Sequence, residues 1–257
     1  MSTEPSAGSS SAPLSVRGRT VLVAGAASAS GTAVCRALEA AGAKVVAVGR
    51  DAARLETTLA DLLDADLRTC DLSNPGDVDA LSQDLQETYG GIDGLIHLVG
   101  GWRGGGGITG QTDDDWDFLE TNILRTLRNV SRSFYDQLAA SDDGRLAIVS
   151  STAVDSPTAG GAGYAAAKAA AEAWVQAIAQ GFRRAQSGAK VDPQPQHSAA
   201  VVLVVKALVD DSMRQAEPDR NFGTYTDVQD LAAAVVGLFS EDAASLNGAR
   251  ISLVPGA

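Results

Sequence analysis

Tyr164 and Lys168 stand four residues apart in an Ala-rich run, 162–185, so in a helix the phenol and the ammonium share one face. A tyrosine titrates near 10, and an ammonium close by lowers that value and makes the phenol a usable proton donor near neutral pH. The spacing Tyr-x-x-x-Lys arises often by accident, so its meaning rests on its surroundings. Ser151, thirteen residues upstream, ends the apolar run 145–150. That places it at the carboxyl edge, where open parallel sheets take their ligands. Asn122 falls inside a segment of helical period, 114–140, an odd place for an amide unless the amide is used.

A second group of residues could hold a phosphate. The run 20–24 leads directly into Gly25-Ala-Ala-Ser-Ala-Ser-Gly31 and then into an apolar-periodic segment. Glycines there let the backbone turn sharply and approach a pyrophosphate, while free N–H groups at the helix start receive its charge. The next apolar run, 44–48, ends in Gly49-Arg50-Asp51. An acidic residue directly at that strand end would accept the ribose 2′-hydroxyl of NAD. Gly49 instead leaves room, and Arg50 offers a guanidinium to a 2′-phosphate, which favours NADP(H) over NAD(H).

Positioning these residues falls to short apolar runs that alternate with helical segments. Strands are predicted at 20–24, 44–48, 67–70, 94–99, 145–150, 200–205 and 250–253, and helices at 31–41, 51–63, 75–89, 114–140, 162–185 and 227–239. The pattern is that of repeated βαβ units. It predicts an α/β fold: a Rossmann-like, doubly wound parallel sheet of about seven strands with helices on both faces, in one domain over 18–257. The chain's 257 residues, 45% of them hydrophobic, suffice for such a core. Residues 1–17 are Ser-rich and read as a disordered tail without the character of a secretory signal. Pro193 and Pro195 make 187–198 a surface loop.

Composition narrows the partners. A net charge of −12 repels phosphate backbones and anionic headgroups, so neither nucleic acid nor a membrane surface is expected. The longest apolar run, 199–205, falls far short of the ~20 residues of a membrane helix. Cys35 and Cys70 have no metal-ligand spacing, and with only two histidines no metal centre is expected. They read as buried thiols of a cytoplasmic protein.

Taken in order, VAGAASASG at 23–31, CDL at 70–72, HLVGG at 97–101, Asn122, Ser151 and YAAAK at 164–168 resemble the classical short-chain dehydrogenase/reductases over 18–257. The resemblance implies that Tyr164 is the general acid or base at a substrate oxygen, hydrogen-bonded also by Ser151. It implies that Lys168 binds the nicotinamide ribose and tunes Tyr164, and that Asn122 holds a proton-relaying water. Gly25, Ser28, Ser30, Gly31, Arg50, Asp71, Leu72, Gly100 and Leu208 would join Tyr164 and Lys168 around the cofactor. The implied reaction interconverts a small-molecule carbonyl, or a related C=N or C=C bond, and its reduced form. Helices 114–140 and 162–185, rich in Ala, would pair across two-fold axes in a homotetramer or a dimer.

VGGW at 99–102 and the segment 208–222 are similar to the dihydropteridine-reductase-like branch, which would place Trp102, Met213 and Phe222 at the substrate. The chain also departs from the family pattern. Ala29 replaces a glycine, and its methyl is expected to crowd the turn; Ser30 replaces an Ile or Leu; His97 and Leu98 replace two asparagines. His97, inside an apolar strand, is expected to make a core hydrogen bond. At 205–210 the usual Pro-Gly, Ile and Thr are missing, and an Asp210 carboxylate facing pyrophosphate would repel it unless Lys206 neutralised it. These departures favour an alternative reading, a non-catalytic dinucleotide-binding sensor or scaffold on the same fold. The glycines at 104–107 read as a lid hinge.

Overall fold

The computed structural model describes residues 16–256. Strands β1 (Thr20–Ala24), β2 (Lys44–Gly49), β3 (Asp66–Thr69), β4 (Gly94–His97), β5 (Arg145–Ser151) and β6 (Ala199–Val205) join β9 (Arg250–Ser252) in a seven-stranded sheet. Its order is β3-β2-β1-β4-β5-β6-β9, and every pairing is parallel. A separate two-residue pair, β7 (Leu208–Val209) with β8 (Thr226–Asp227), lies off the main sheet. The direction of winding reverses between β1 and β4, and their carboxyl ends open the crevice in which doubly wound sheets bind ligands.

Both faces of the sheet are covered, so its strands are apolar throughout rather than alternating. Leu22, Ala24, Val46 and Val48 pack toward α3 (Pro75–Tyr89), α5 (Thr126–Ala140) and α6 (Ala162–Ala185). Their neighbours Val21, Val23, Val45 and Ala47 face α1 (Ala29–Ala40), α2 (Ala52–Thr58) and α8 (Val228–Gly237). Phe134 and Phe182 are fully buried on the first face and Phe239 on the second. Truncating any of them to Ala costs ~3–5 kcal/mol.

The predicted architecture is the observed one, with local differences. Val16 is buried in the second core and its carbonyl accepts from the Arg19 amide, so Val16 and Arg17, the last two residues of the predicted tail, lie within the described residues. The rest of the predicted tail lies outside the described residues. The predicted helix 51–63 stops at Thr58. The helix predicted over 114–140 is three pieces: α4 (Asp113–Leu119), a wide turn Glu120–Arg125, and α5. In that wide turn the Thr126 amide reaches back five residues to the Thr121 carbonyl. Two short helices, α7 (Asp211–Ala216) and α9 (Ala243–Leu246), and the β7–β8 pair are too brief to leave a periodic signal in sequence.

Candidate active site

The turn after β1 is built of bare backbone. Gly25 has φ +86°, and a Cβ there would press on the Leu98–Val99 backbone at 3.1 Å. A Cβ on Gly31 would lie 2.3 Å from the Gly25 carbonyl oxygen, so no other residue fits. Ser28 caps α1: its hydroxyl donates to the Gly25 carbonyl at 2.8 Å and accepts from the Gly31 amide at 3.0 Å. The Ser30 hydroxyl sits 3.2 Å from the Ser28 hydroxyl, and both serines border the crevice at the start of α1. Ala29 is exposed at the first helical position, so its methyl does not crowd the turn as the sequence reading expected.

A cleft of about 480 Å³ runs from this turn along the ends of β2 and β3. Gly25, Ser28, Arg50, Asp71 and Leu72 line it, with Gly100 and Asn122 at its inner end. Arg50 is exposed there, and its charge helps hold the Asp71 carboxyl below the usual range, after the larger effect of hydrogen bonds from Ser73. Leu72 is buried, its carbonyl fixed by the Asn129 amide at 2.9 Å. The bare glycine turn, the helix start and the guanidinium fit a dinucleotide.

A second cleft, about 330 Å³, continues from Ser28 and Ser30 past Gly100 to Tyr164, Lys168 and Leu208. Ser151 ends β5, and its hydroxyl accepts from the Ala153 amide at 3.1 Å. Burial raises the Tyr164 pKa, and the hydrogen bond from Ser151 pulls it back. Lys168 is buried; its Nζ lies 5.8 Å from the Tyr164 ring centre and donates to the Val149 carbonyl at 2.7 Å. Burial brings its own pKa down to about 8, opposed by the Glu172 carboxylate one turn on. The expected lowering of the phenol by the ammonium is therefore absent: burial dominates at both groups.

Asn122 lies in the wide turn, its side-chain amide spent on the Phe118 carbonyl at 2.8 Å. Its own carbonyl accepts from the Thr126 hydroxyl at 2.8 Å, a back-bond of the kind that distorts helices. That hydroxyl also meets His97 Nε2 at 3.0 Å. The hydroxyl proton goes to Asn122, so Nε2 carries the hydrogen donated to Thr126. Burial, and after it the Lys168 charge, bring the His97 pKa down to about 3, so the ring is neutral. His97 thus makes the expected core hydrogen bond, but one that reaches Asn122. Thr126 was missed in the sequence; its only signal is a hydroxyl four residues after Asn122.

The segment after β6 differs from expectation. Asp210 does not face the phosphate turn: its Oδ1 accepts from the Met213 amide at 2.7 Å and caps α7. Lys206 does not neutralise it, and donates instead to the Thr224 hydroxyl at 3.1 Å. Trp102 is 59% exposed and lines a third, open cleft with Ser151 and Tyr164. Met213 and Phe222 line none of these clefts. Met213 is fixed within α7, and Phe222 packs edge-on against Tyr225 at 5.4 Å.

The family model described as short chain dehydrogenase matches residues 19–191. Nodulation protein G of Rhizobium meliloti (strain 1021) is 30% identical over 236 residues, covering 91% of this chain and 94% of its own. An NADPH-bound short chain oxidoreductase from Pseudomonas aeruginosa PAO1, whose catalytic centre is described as atypical, superposes with a TM-score of 0.79. It is 20% identical, with 93% of this chain and 96% of that one covered. An NAD+-bound xylitol dehydrogenase gives a TM-score of 0.80 at 17% identity, covering 94% and 99%.

Proposed function

The chain belongs to the short chain dehydrogenase family, and from that premise we propose that it is an NADP(H)-dependent oxidoreductase interconverting a carbonyl, or a related C=N or C=C bond, and its reduced form. One observation carries the reading. The cleft that starts at the phosphate turn ends on Tyr164 and Lys168, and Tyr164 also borders the adjoining open cleft together with Ser151. A proton donor therefore stands where a dinucleotide lying in the crevice would end.

Gly25, Ser28, Ser30 and Gly31 would hold the pyrophosphate, Asp71 and Leu72 the adenine, and Gly100, Lys168 and Leu208 the nicotinamide riboside. When bound, the cofactor supplies the hydride. Tyr164 gives its proton to the substrate oxygen, and its raised pKa keeps that proton in place until the oxygen becomes basic. Ser151 hydrogen-bonds the same oxygen and keeps the phenol in line. Lys168 is charged below about pH 8 and sets that charge beside the phenol, its Nζ 5.8 Å from the ring centre. The Asn122 carbonyl, fixed by Thr126 and His97, would hold the water that returns a proton.

Arg50 supports NADPH over NADH, since its exposed guanidinium borders the cleft at the end of β2 and offers a charge-assisted contact to a 2′-phosphate. Relatives of the fold are found with either dinucleotide, so fluorescence titration with both decides the preference. Equal dissociation constants would reject the NADP(H) reading. A carbonyl panel run with the better cofactor tests the activity; tight NADPH binding without turnover of any member would favour the sensor reading.

The exposed residues Ala166, Ala169, Ala173 and Ala177 on α6 support assembly through that helix, into a homotetramer or a dimer. A monomeric mass by light scattering at micromolar concentration would reject it. Cys35 and Cys70 are both free and buried, which supports a cytoplasmic location, and no helix among the described residues is long and apolar enough to cross a membrane.

A further inference from the structure

We infer that Lys206 is a specificity-determining residue and that the substrate is an anion, a carbonyl compound carrying a carboxylate that pairs with the Lys206 ammonium. The inference deepens the function proposed above and rests on it. Lys206 is the first residue after β6, and it is exposed. It lines the cleft that ends on Tyr164 and Lys168, and also the neighbouring open cleft that holds Ser151, Tyr164 and Trp102. No residue of the phosphate turn or of the Arg50 region borders that open cleft, so its contents are the substrate's.

The charge of Lys206 is uncommitted. Its Nζ is tethered by the neutral Thr224 hydroxyl, and among the described residues no carboxylate forms an ion pair with it. The acids closest in sequence or across the cleft are engaged elsewhere. Asp210 caps α7, Asp211 and Asp227 face Arg214, and Asp155 pairs with Arg250 at 2.8 Å. In a chain with 32 acidic and 20 basic residues, a cation left free beside the proton donor is available to a ligand. The tether steadies the long side chain without neutralising it, which lowers the entropy lost on binding an anion. Trp102 offers a flat apolar wall in the same cleft, so the body of the substrate is apolar or aromatic.

The test uses phenylglyoxylate, 3-benzoylpropionate and 4-benzoylbutyrate, whose carbonyl and carboxylate stand progressively farther apart, each beside its methyl ester. Calorimetry on the NADP+-loaded protein gives binding, and initial rates with NADPH give KM. At least one acid should bind roughly tenfold or more tighter than its ester, as expected of a charge-assisted contact. Lys206→Met should bring the acid to its ester's affinity and KM while the affinity for NADP+ stays put, and Lys206→Arg should retain the preference. Acids and esters that behave alike across the series would overturn the inference. So would a Lys206→Met variant that loses NADP+ affinity by the same factor as acid affinity, which would make Lys206 a phosphate contact. Charge-selective binding without turnover would support the anion site and break the proposed reaction; turnover without charge selection would do the reverse.

Discussion

At the Arg50 end of the crevice the lining comes from the turns that directly follow β1, β2 and β3, and each is fixed by caps within a few residues: Ser28 on Gly31, Asp51 on Arg54, Asp71 on Ser73. At the Tyr164 end the lining comes from segments far apart in sequence, held by side chains that reach across them. His97 meets Thr126 twenty-nine residues on, Lys168 meets the Val149 carbonyl, and Lys206 meets Thr224. The first end keeps Gly25 and Gly31 despite Ala29 and Ser30 between them; the second carries substitutions at His97, Leu98 and throughout 205–210. A cradle for backbone-recognised phosphate tolerates little change, because a Cβ at Gly31 collides with the Gly25 carbonyl. A pocket assembled from side chains can be rebuilt, provided each displaced polar group finds a new partner.

Variants that separate the two ends should affect different quantities. The largest effect is expected from Tyr164→Phe, which keeps the ring's packing and removes the acid. Turnover should fall by ~10²–10⁴ with cofactor affinity barely changed. Steady-state kinetics beside a cofactor titration would check both. Arg50→Ala acts at the other end: it should weaken NADPH binding by about 1.5–3 kcal/mol, leave NADH binding nearly as it was, and not alter the chemical step. If Arg50→Ala slowed chemistry with affinity intact, the separation of the ends would be wrong.

His97→Asn tests whether the rebuilt end carries a cost in acid. The folded pKa of His97 is about 3 and the unfolded value about 6.5. The unfolded chain therefore binds the proton first as pH falls. The neutral ring's contribution is intact above about 6.5 and is lost progressively as pH drops toward 3. Denaturation midpoints between pH 7 and 4 should fall less steeply in His97→Asn than in the wild type. The smallest effect is expected from Asp210→Ala, which removes the α7 cap at a cost of ~1 kcal/mol. Because the carboxylate is turned away from the phosphate turn, NADPH affinity should not rise; a marked tightening would mean that it faces the pyrophosphate after all.

How far each end could be read in the sequence follows from the same difference. The strands, the glycine turn and the pair Tyr164 and Lys168 are legible because period and spacing express them locally. The break at 120–125 is not: the segment keeps a helical apolar pattern, and only the bond from Thr126 to the Asn122 carbonyl accompanies the wide turn. The cap by Asp210 leaves an Asp-x-x-Met signal too weak beside the expectation of a phosphate-facing loop. Burial is not legible either. The spacing points to the Lys168 charge on Tyr164, while burial is the largest influence at both groups. Val16 follows a Ser-rich run, and only its packing into the core near α1 and β2 marks it as ordered.

Whether the rebuilt end still performs hydride transfer is decided most directly in a single turnover. NADPH carrying deuterium at C4 of the nicotinamide would be mixed with an excess of enzyme and each member of the carbonyl panel, and the product examined by mass spectrometry. Deuterium should appear in the product at a rate that Tyr164→Phe lowers by ~10²–10⁴, with the same cofactor bound equally well by both proteins. Wild-type protein that binds the cofactor tightly yet transfers no more deuterium than Tyr164→Phe would contradict the catalytic assignment.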